Sequence, residues 1–281
     1  MQLRKLSQLA AVAAAAVMLA ACAPVTREVA EARPAPTLPA VAKAPGGSAA
    51  GEAHGTGHWS YTGDTGPEYW GQLNPEYAAC GDGKTQSPID VDNVKEENLV
   101  NLAFNYNPSN VNIENNGHTV EVVYDPGSSF SVDGDTYELK QFHFHSPSEH
   151  TVDGQFAAIE LHMVHETADG KSAVVAVLIN QGAANPAFMP VWRHLPATET
   201  AETTYDIKVN AADFLPADQT TFRYAGSLTT PPCTEGVSWF VMIHPVEMSG
   251  EQIAAFQAIY DGNHRPVQAL NDRTILADTT P

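Results

Sequence analysis

The apolar residues of the chain follow three successive patterns. After the basic residues Arg4 and Lys5, residues 9–23 form an almost uninterrupted apolar run. Residues 23–57 are rich in Ala, Pro and Gly, and their apolar positions follow neither the period of a helix nor that of a strand. From His58 onward, short runs of β-branched and aromatic residues are separated by Gly, Pro, Asn and Asp, which is typical of a folded β-rich domain.

Six of these runs are predicted to be β-strands, because β-branched and aromatic residues are concentrated in them. No internal repeat divides the region, and its length suits one domain. The predicted fold class is therefore mostly β (α+β): a single domain with a large, mainly antiparallel central β-sheet and a few short surface helices. The predicted strands are 118–124, 137–145, 156–165, 173–180, 221–224 and 237–244.

One helix is predicted near the C-terminus. Ser249 can cap it, Gln252 completes a capping box, and Gly262 ends it. A second, short helix is predicted to begin at residues 185–186 and to be limited by Pro190. The apolar face of the first helix consists of Ile253, Phe256 and Ile259.

The N-terminal apolar run predicts an export signal over residues 1–21. It is shorter than the roughly 20 residues that span a bilayer, and it follows a basic segment. Leu19-Ala20-Ala21-Cys22 resembles a bacterial lipobox, which implies cleavage before Cys22 and a lipid on its thiol. An ordinary cleavage site beside an incidental Cys is the alternative. Residues 22–57 are then the lipidated Cys and a semi-extended tether, and the expected location is the periplasm, anchored to a bacterial membrane, with the outer membrane favoured.

The charge balance excludes one class of partner. The chain has 14 Lys and Arg residues against 33 Asp and Glu residues, a formal charge of −19. Nucleic-acid binding needs a basic surface, so no nucleic-acid partner is expected. With 43% hydrophobic and 17% charged residues, the composition also differs from that of disordered chains and coiled coils.

Candidate chemistry begins at the end of the predicted strand 137–145. Its last five residues alternate between polar and aromatic side chains. Because successive strand residues point to opposite faces, Gln141, His143 and His145 share one face. Phe142 and Phe144 are then expected to point into a core on the opposite face.

The next predicted strand adds Glu160 and His162, which also share a face. If the two strands pair antiparallel, His143, His145 and His162 converge on one point. Three neutral imidazoles with an open fourth position are typical of a catalytic zinc site, although copper or iron would also accept them. Gln141 and Glu160 are placed to accept hydrogen bonds from the outer ring nitrogens. The alternative is that each His is an ordinary core or surface residue.

Seven motifs along the domain point to one family. Residues 141–154 contain two of the candidate ligands, residues 160–165 contain the third, and residues 226–233 form a loop rich in Thr and Pro that ends in a Cys. Together the motifs resemble the α-class carbonic anhydrases, and the Cys-containing loop resembles the bacterial branch. Residues 58–281 are accordingly predicted to be an α-carbonic anhydrase catalytic domain. The remaining motifs are 66–70, 86–90, 115–118 and 263–268.

The resemblance implies a zinc-dependent lyase that catalyses the reversible hydration of CO2 to bicarbonate and a proton. His143, His145 and His162 are the implied zinc ligands, and zinc-bound hydroxide attacks CO2. Thr229 is implied to accept a hydrogen bond from this hydroxide and to donate its own to Glu149. Without the resemblance, Thr229 would be an ordinary turn residue.

The resemblance also assigns the proton and substrate paths. His118 occupies the position of a proton shuttle, for which an imidazole that titrates near neutral pH is suited. Tyr61 and Asn116, with Thr230, are implied to support the water chain. Taken singly, the apolar residues of the substrate site would be ordinary core residues. The implied substrate-binding residues are Val164, Val174, Leu228, Thr229, Thr230, Val237 and Trp239.

The three cysteines divide by role. With Cys22 lipidated, the resemblance implies a disulfide between Cys80 and Cys233, which an oxidising periplasm permits. The disulfide would brace the loop that carries Thr229. A pair of free thiols is the alternative.

Two positions depart from the family pattern. The family often has Trp where this chain has Ser146 and His264, and both changes could widen or polarise the surroundings of the site. His150 and His165 lie outside the ligand pattern and are predicted to be structural.

Two other classes of function fit the sequence less well. A catalytically inactive carbonic-anhydrase-like binding domain on the cell envelope would typically lack a zinc His, whereas this chain keeps all three. A metal scavenger would need flexible His tracts, and only His54 and His58 lie near the tether. The expected partners are CO2 and bicarbonate, and the membrane through the N-terminal lipid anchor. A homodimer is also considered, because the bacterial branch includes dimers.

Overall fold

The computed structural model describes residues 58–280, which form a mostly β domain. The predicted signal peptide, Cys22 and the whole predicted tether lie outside the described residues. Within residues 58–280, no helix is long and apolar enough to cross a membrane.

The regular elements are short except for the central strands. The strands are β1 (Asp90–Val91), β2 (Lys95–Glu97), β3 (Ala103–Asn105), β4 (Ser109–Asn115), β5 (Val120–Val123), β6 (Ser129–Val132), β7 (Asp135–His145), β8 (Thr151–Val152), β9 (Gln155–Phe156), β10 (Ile159–Glu166), β11 (Ser172–Gln181), β12 (Thr200–Val209), β13 (Thr221–Ser227), β14 (Glu235–Met242), β15 (Val246–Met248) and β16 (Leu276–Asp278). The α-helices are α1 (Trp70–Leu73), α2 (Ala79–Asp82), α3 (Met189–Trp192) and α4 (Gly250–Gln257), and 3-10 turns cover Gly63–Thr65, Pro75–Tyr77, Pro186–Phe188 and Ala211–Phe214.

A 13-stranded sheet dominates the domain. Its strands follow the order β12-β4-β5-β7-β10-β11-β14-β13-β16-β2, with β3, β6 and β15 paired beside this path. Most neighbours are antiparallel, but β11 runs parallel to β14 and β15, and β16 runs parallel to β2. A separate small sheet joins β1, β8 and β9. The predicted mostly β fold class is confirmed, with the sheet mixed in direction.

The two faces of the central strands bury different clusters. Phe142 and Phe144 are fully buried in the larger core, on the face opposite the imidazoles, as the alternation predicted. The site face carries a second apolar cluster that includes Val174, Val237 and Trp239. The centre of the sheet is therefore apolar on both sides, and the polar site lies beside the second cluster.

The two predicted helices differ in outcome. The capping box of Ser249 and Gln252 is present at the start of α4. This helix ends at Gln257, before Gly262, whose N–H instead donates to the Ser146 carbonyl at 2.7 Å. The prediction that Pro190 limits the other helix was wrong. Pro190 lies in the first turn of α3. Backbone N–H groups there have no partner within the helix, so a proline, which lacks this group, costs no hydrogen bond.

Some strand boundaries also differ from prediction. The predicted strand 118–124 begins only at Val120, because the Asn116 carboxamide accepts the N–H groups of His118 and Thr119 in a turn. Strand β12 was not predicted, because its residues are mainly exposed and mainly polar and so lack the apolar alternation of a half-buried strand.

Candidate metal centre

Strand register brings the three candidate ligands together. His143 in β7 lies directly opposite His162 in β10, and His145 lies opposite Glu160. Paired residues point to the same face of a sheet, so the three imidazoles converge as predicted. Each imidazole offers one ring nitrogen to this point, and the three nitrogens lie within 4.8 Å of one another.

Each of these imidazoles has its outer ring nitrogen hydrogen-bonded to an oxygen acceptor. An N–H that donates outward leaves the other ring nitrogen as a free lone pair that points inward. The inward atoms are therefore Nε2 of His143 and His145, and Nδ1 of His162. The three donor–acceptor pairs are His143 Nδ1 to Gln141 Oε1 (2.8 Å), His162 Nε2 to Glu160 Oε1 (2.8 Å) and His145 Nδ1 to the Asn263 carbonyl (2.7 Å).

The inward nitrogens fit a divalent metal ion. His145 Nε2 is buried and has no hydrogen-bond partner among the described residues, which suits a nitrogen that faces an ion. Burial lowers the pKa of His143 and of His145, so both rings are held neutral, as ligation requires. Burial alone would lower the pKa of His162, but Glu160 and Glu149 raise it, so metal binding would displace a proton from this ring. Three imidazoles that are neutral in the bound state are a set that zinc accepts, with one further position open to a small ligand.

Glu160 connects the ligand His162 to a deeper polar layer. Its Oε1 also accepts from His150 Nδ1 at 2.7 Å, and its Oε2 accepts the backbone N–H groups of Glu149 and His150 at 2.7 and 2.8 Å. Burial alone would raise the pKa of Glu160, but its electrostatic interactions and hydrogen bonds with the imidazoles of His150 and His162 lower it well below its usual range. His150 continues the layer, because its Nε2 lies 2.6 Å from the Tyr224 hydroxyl.

Glu149 is buried beside the inward nitrogens of two of the imidazoles. Its Oε1 accepts the Arg265 N–H at 2.8 Å. Its Oε2 has no hydrogen-bond partner among the described residues, and lies 3.6 Å from His145 Nε2 and 3.9 Å from His162 Nδ1. The Thr229 hydroxyl therefore does not donate to Oε2 in this structure, contrary to the predicted contact, and Oε2 instead faces two ligand nitrogens.

The loop that carries Thr229 begins where β13 ends. Thr229 is buried and Thr230 is half-buried. The loop is closed by two backbone hydrogen bonds, from Leu228 N–H to Thr234 and from Cys233 N–H to Thr230. Cys233 forms a disulfide with Cys80, with the two Cα atoms 5.0 Å apart. This is the bond that the family resemblance implied, and it holds the far end of the loop.

A small cavity in front of the imidazoles contains many of the predicted residues. Its volume is about 120 Å³. The predicted residues that line it come from the proton path, the ligand set and the loop after β13. They are Tyr61, Asn116, His118, Gln141, His143, His145 and Thr230.

The predicted apolar residues form a continuous surface next to His162. Val164 pairs with Val174 across β10 and β11, and Val174 pairs with Trp239 across β11 and β14. The Trp239 ring lies 4.9 Å from the ring of His162. Val174 and Trp239 are buried, whereas Val164 and Leu228 are only partly buried against the same cluster.

His118 lies at the mouth of the cavity and is half-buried. Its ring stacks on Trp59, with centroids 3.7 Å apart and planes 10° apart, and His58 follows at 6.5 Å. Burial and the charge of His58 lower the pKa of His118, while the charge of Glu199 opposes them. His118 is therefore a partly exposed imidazole, and stacking on an aromatic neighbour fixes the orientation of its ring.

Glu121 also lines the cavity and was not predicted. It lies opposite His143 across β5 and β7. Burial, followed by the charges of Glu114 and Glu202, raises its pKa to about 7. A single carboxylate within the apolar strand Val120–Val123 is the sequence signal that could have identified it.

The two departures from the family pattern have different surroundings. Ser146 is buried, its N–H donates to Asn263 Oδ1 at 2.9 Å, and its hydroxyl donates to the Ala158 carbonyl at 3.0 Å. It therefore supports the residue whose carbonyl orients His145. His264 packs its ring edge-on against Phe156 at 5.6 Å.

His165 lies away from the three converging imidazoles. His165 points to the opposite face, where its Nδ1–H donates to the Met163 carbonyl and the Tyr106 hydroxyl lies 2.7 Å from Nε2. Burial lowers its pKa to about 3. These contacts agree with the structural role that was predicted for it.

Comparisons with known proteins agree on one family. Residues 65–279 match the family model described as eukaryotic-type carbonic anhydrase. A carbonic anhydrase from Nostoc sp. is 44% identical over 227 residues, which covers 79% of this chain and 86% of that protein. One from Klebsiella pneumoniae is 43% identical over 224 residues, with 78% and 90% covered. The solved α-carbonic anhydrase of Thermovibrio ammonificans, in complex with the inhibitor sulfanilamide, superposes with a TM-score of 0.76 at 42% identity and covers 79% of this chain and 100% of that one.

Proposed function

Because the chain belongs to the eukaryotic-type, or α-class, carbonic anhydrase family, we propose that it is a zinc enzyme that catalyses the reversible hydration of CO2. One observation carries the proposal: three imidazole nitrogens converge on one point while their outer nitrogens donate to oxygen acceptors. In carbonic anhydrases, bound zinc lowers the pKa of a water molecule from 15.7 to about 7, so a hydroxide nucleophile is available at neutral pH.

The protein's first contribution is to hold the ligands in one orientation. Gln141, Glu160 and the Asn263 carbonyl fix the outer N–H groups of the three rings. Each ring thereby keeps its lone pair directed at the metal position without rearrangement. Glu160 is itself held by two backbone N–H groups and by His150, so its own position is also fixed.

The second contribution is to orient the attacking oxygen. Thr229 is proposed to accept a hydrogen bond from that oxygen and to donate its hydroxyl hydrogen to Glu149. The spare acceptor Glu149 Oε2, buried and without a partner among the described residues, supports this assignment.

The third contribution is a dry surface for the substrate. CO2 is apolar, and Val164, Val174, Leu228, Val237 and Trp239 supply apolar area beside His162. Such a surface holds CO2 next to the nucleophile while it excludes competing water. Bicarbonate is charged and is bound weakly there, which favours its release.

The fourth contribution is proton export through His118. The cavity leads from the imidazoles past Tyr61, Asn116 and Thr230 to His118. An imidazole that titrates near neutral pH both accepts and releases a proton under working conditions. Its stacking on Trp59 limits the orientations that the ring can adopt.

Zinc content and CO2 hydration together test the proposal. The purified wild type is expected to contain one zinc ion per chain and to hydrate CO2 in a stopped-flow assay, and His145→Ala is expected to lose both. His194→Ala is the matched control, because His194 packs on Tyr205 away from the site. Stoichiometric zinc in a wild type that does not hydrate CO2 would instead favour an inactive binding domain.

The shuttle is tested separately from the hydration step. In weak buffer, His118→Ala is expected to lower turnover by at least about tenfold, because general acid–base groups contribute this much or more. Zinc content and kcat/KM for CO2 should be unchanged, and added imidazole buffer should restore turnover. Unchanged turnover in weak buffer would contradict the assignment.

We also propose that the protein is exported and lipid-anchored in the periplasm through Cys22, with the outer membrane favoured. Cell fractionation of the wild type and of Cys22→Ser tests this, and the variant is expected to leave the membrane fraction. Wild-type protein in the soluble fraction would contradict the anchor. Light scattering on purified residues 58–281 would test the homodimer.

A further inference from the structure

Arg265 is a buried cation that the proposed reaction does not use. Its side chain is almost inaccessible, at 1% exposure. Nη1 donates to Gln86 Oε1 and to the Ser87 carbonyl, both at 2.8 Å, and Nη2 donates to the Cys80 carbonyl at 2.9 Å. Within residues 58–280 it forms no ion pair. A charge is costly to bury unless such contacts offset the lost hydration, so its presence needs a reason beyond filling space.

Two of the three acceptors of Arg265 belong to the disulfide or to a residue that is hydrogen-bonded to it. Cys80 is one half of the disulfide. Gln86 donates its own Nε2 to the carbonyl of Cys233, the other half, at 3.1 Å. Cys233 in turn donates its N–H to Thr230, in the loop that carries the proposed oxygen-orienting Thr229. The guanidinium is thus bonded to both halves of the disulfide that closes this loop, directly to Cys80 and through Gln86 to Cys233.

The main chain around Arg265 contacts the other half of the site. The Arg265 N–H donates to Glu149 Oε1 at 2.8 Å. Two residues earlier, the Asn263 carbonyl accepts the outer N–H of His145. Residues 263–270 contain neither helix nor strand, so regular backbone pairing does not fix their position. Individual hydrogen bonds must do so, and the side chains of Asn263 and Arg265 make three each. Arg265 is the charged one of the two.

We infer that Arg265 is a positioning residue for CO2 hydration: its guanidinium locks the segment that orients Glu149 onto the disulfide-closed loop that carries Thr229. One side chain therefore sets the distance between the two groups that must share a hydrogen bond. The inference rests on the function proposed above for Glu149 and Thr229. Burial lowers the pKa of Arg265 to about 10, so it stays protonated, and its five donors stay available, at neutral pH.

The first test compares two arginines. Arg265→Met is expected to lower kcat/KM for CO2 hydration by about 10- to 100-fold, the range that a displacement of about 1 Å produces at an active site. Zinc content should stay stoichiometric. Arg223→Met is the matched control, because Arg223 is also partly buried and bonded, but to Asp278 and the Val100 carbonyl. It should keep wild-type kcat/KM.

A double-mutant cycle separates positioning from general damage. If Arg265 acts through Glu149, then Arg265→Met should lower kcat/KM by less than about twofold in a Glu149→Gln background, because the group it positions is already impaired. Losses that multiply in the double variant would show an independent effect and would overturn the inference. So would a folded Arg265→Met variant with wild-type kcat/KM.

A milder variant covers the case in which Arg265→Met does not fold. Gln86→Leu keeps the guanidinium but removes its link to Cys233. It is expected to lower kcat/KM several-fold in the otherwise wild-type chain, but by less than about twofold in the Glu149→Gln background. Full activity of Gln86→Leu would then overturn the inference. A zinc-loaded wild type without CO2 hydration would refute the proposed function, whereas an active wild type with unaffected variants would refute only the role of Arg265.

Discussion

Replacing Glu160 by Gln should disrupt the metal site although the two side chains have nearly the same shape. The Glu160 carboxylate accepts four N–H groups, two from imidazoles at Oε1 and two from the backbone at Oε2. Gln has one acceptor oxygen and one NH2 group, so the NH2 must face one of these donor pairs. If it faces the backbone pair, the N–H groups of Glu149 and His150 lose their acceptor.

The other orientation damages the ligand directly. If the NH2 faces the rings, His150 and His162 must become acceptors on that side. The proton of His162 then moves to Nδ1, the nitrogen that faces the metal position, and blocks ligation. Neither orientation satisfies the site, because the four groups around Glu160 are all donors in the metal-binding tautomer.

The size of the effect follows from the number of unmet hydrogen bonds. A buried donor without an acceptor costs about 1–3 kcal/mol, so the first orientation, which leaves two of them, predicts a loss of about 2–6 kcal/mol in the free energy of unfolding. Loss of a carboxylate behind a ligand His typically weakens metal binding about 10- to 100-fold. Both numbers refer to a variant that still folds, since Gln has the same number of non-hydrogen atoms as Glu.

Zinc competition against a coloured chelator and urea unfolding of the zinc-free protein measure the two effects. Glu166→Gln is the matched control, because Glu166 lies on the same strand but is exposed at its far end. Its unfolding free energy should change by no more than about 0.5 kcal/mol. If Glu160→Gln bound zinc as tightly as the wild type and unfolded at the same urea concentration, the proposed orienting role of this carboxylate would be refuted.

Three further predictions concern stability and substrate binding. Replacing Cys80 and Cys233 by Ser opens a loop with a sequence separation of 153, and should lower the unfolding free energy in urea by about 3–5 kcal/mol; an unchanged value would contradict this. Because burial lowers the pKa of His165 to about 3, the unfolded state takes up its proton first as the pH falls, so stability is lost from about pH 6.5 downward. Between pH 7 and pH 5 the wild type should lose about 2 kcal/mol more than His165→Gln, and equal losses would refute the assignment. Val164→Asn should lower kcat/KM for CO2 about tenfold by placing an amide in the apolar surface, whereas Val246→Asn, in the other core, should not; equal losses would refute the apolar role of Val164.

The alternation of side chains along single strands was sufficient to predict that three imidazoles share one face, whereas their role as ligands was implied by the family resemblance. Two His residues on one face of β7 and one on β10 meet because antiparallel pairing places like faces together. The same alternation predicted that Phe142 and Phe144 face the opposite core. The capping box at Ser249 was equally predictable, because its two hydrogen bonds join residues three positions apart. These features depend on local geometry, which is a property of the sequence itself.

Contacts between distant segments required the structure. The acceptor for His145 is a backbone carbonyl 118 residues away, and a carbonyl has no residue-type signature. The stacking of His118 on Trp59 and the links from Arg265 to the disulfide also join elements far apart in the chain. The sequence by itself determined which residue types share a strand face, because side-chain direction repeats every two residues. Only the tertiary structure decided which partner each polar group meets, because that choice depends on the paths of loops that have no regular backbone pairing.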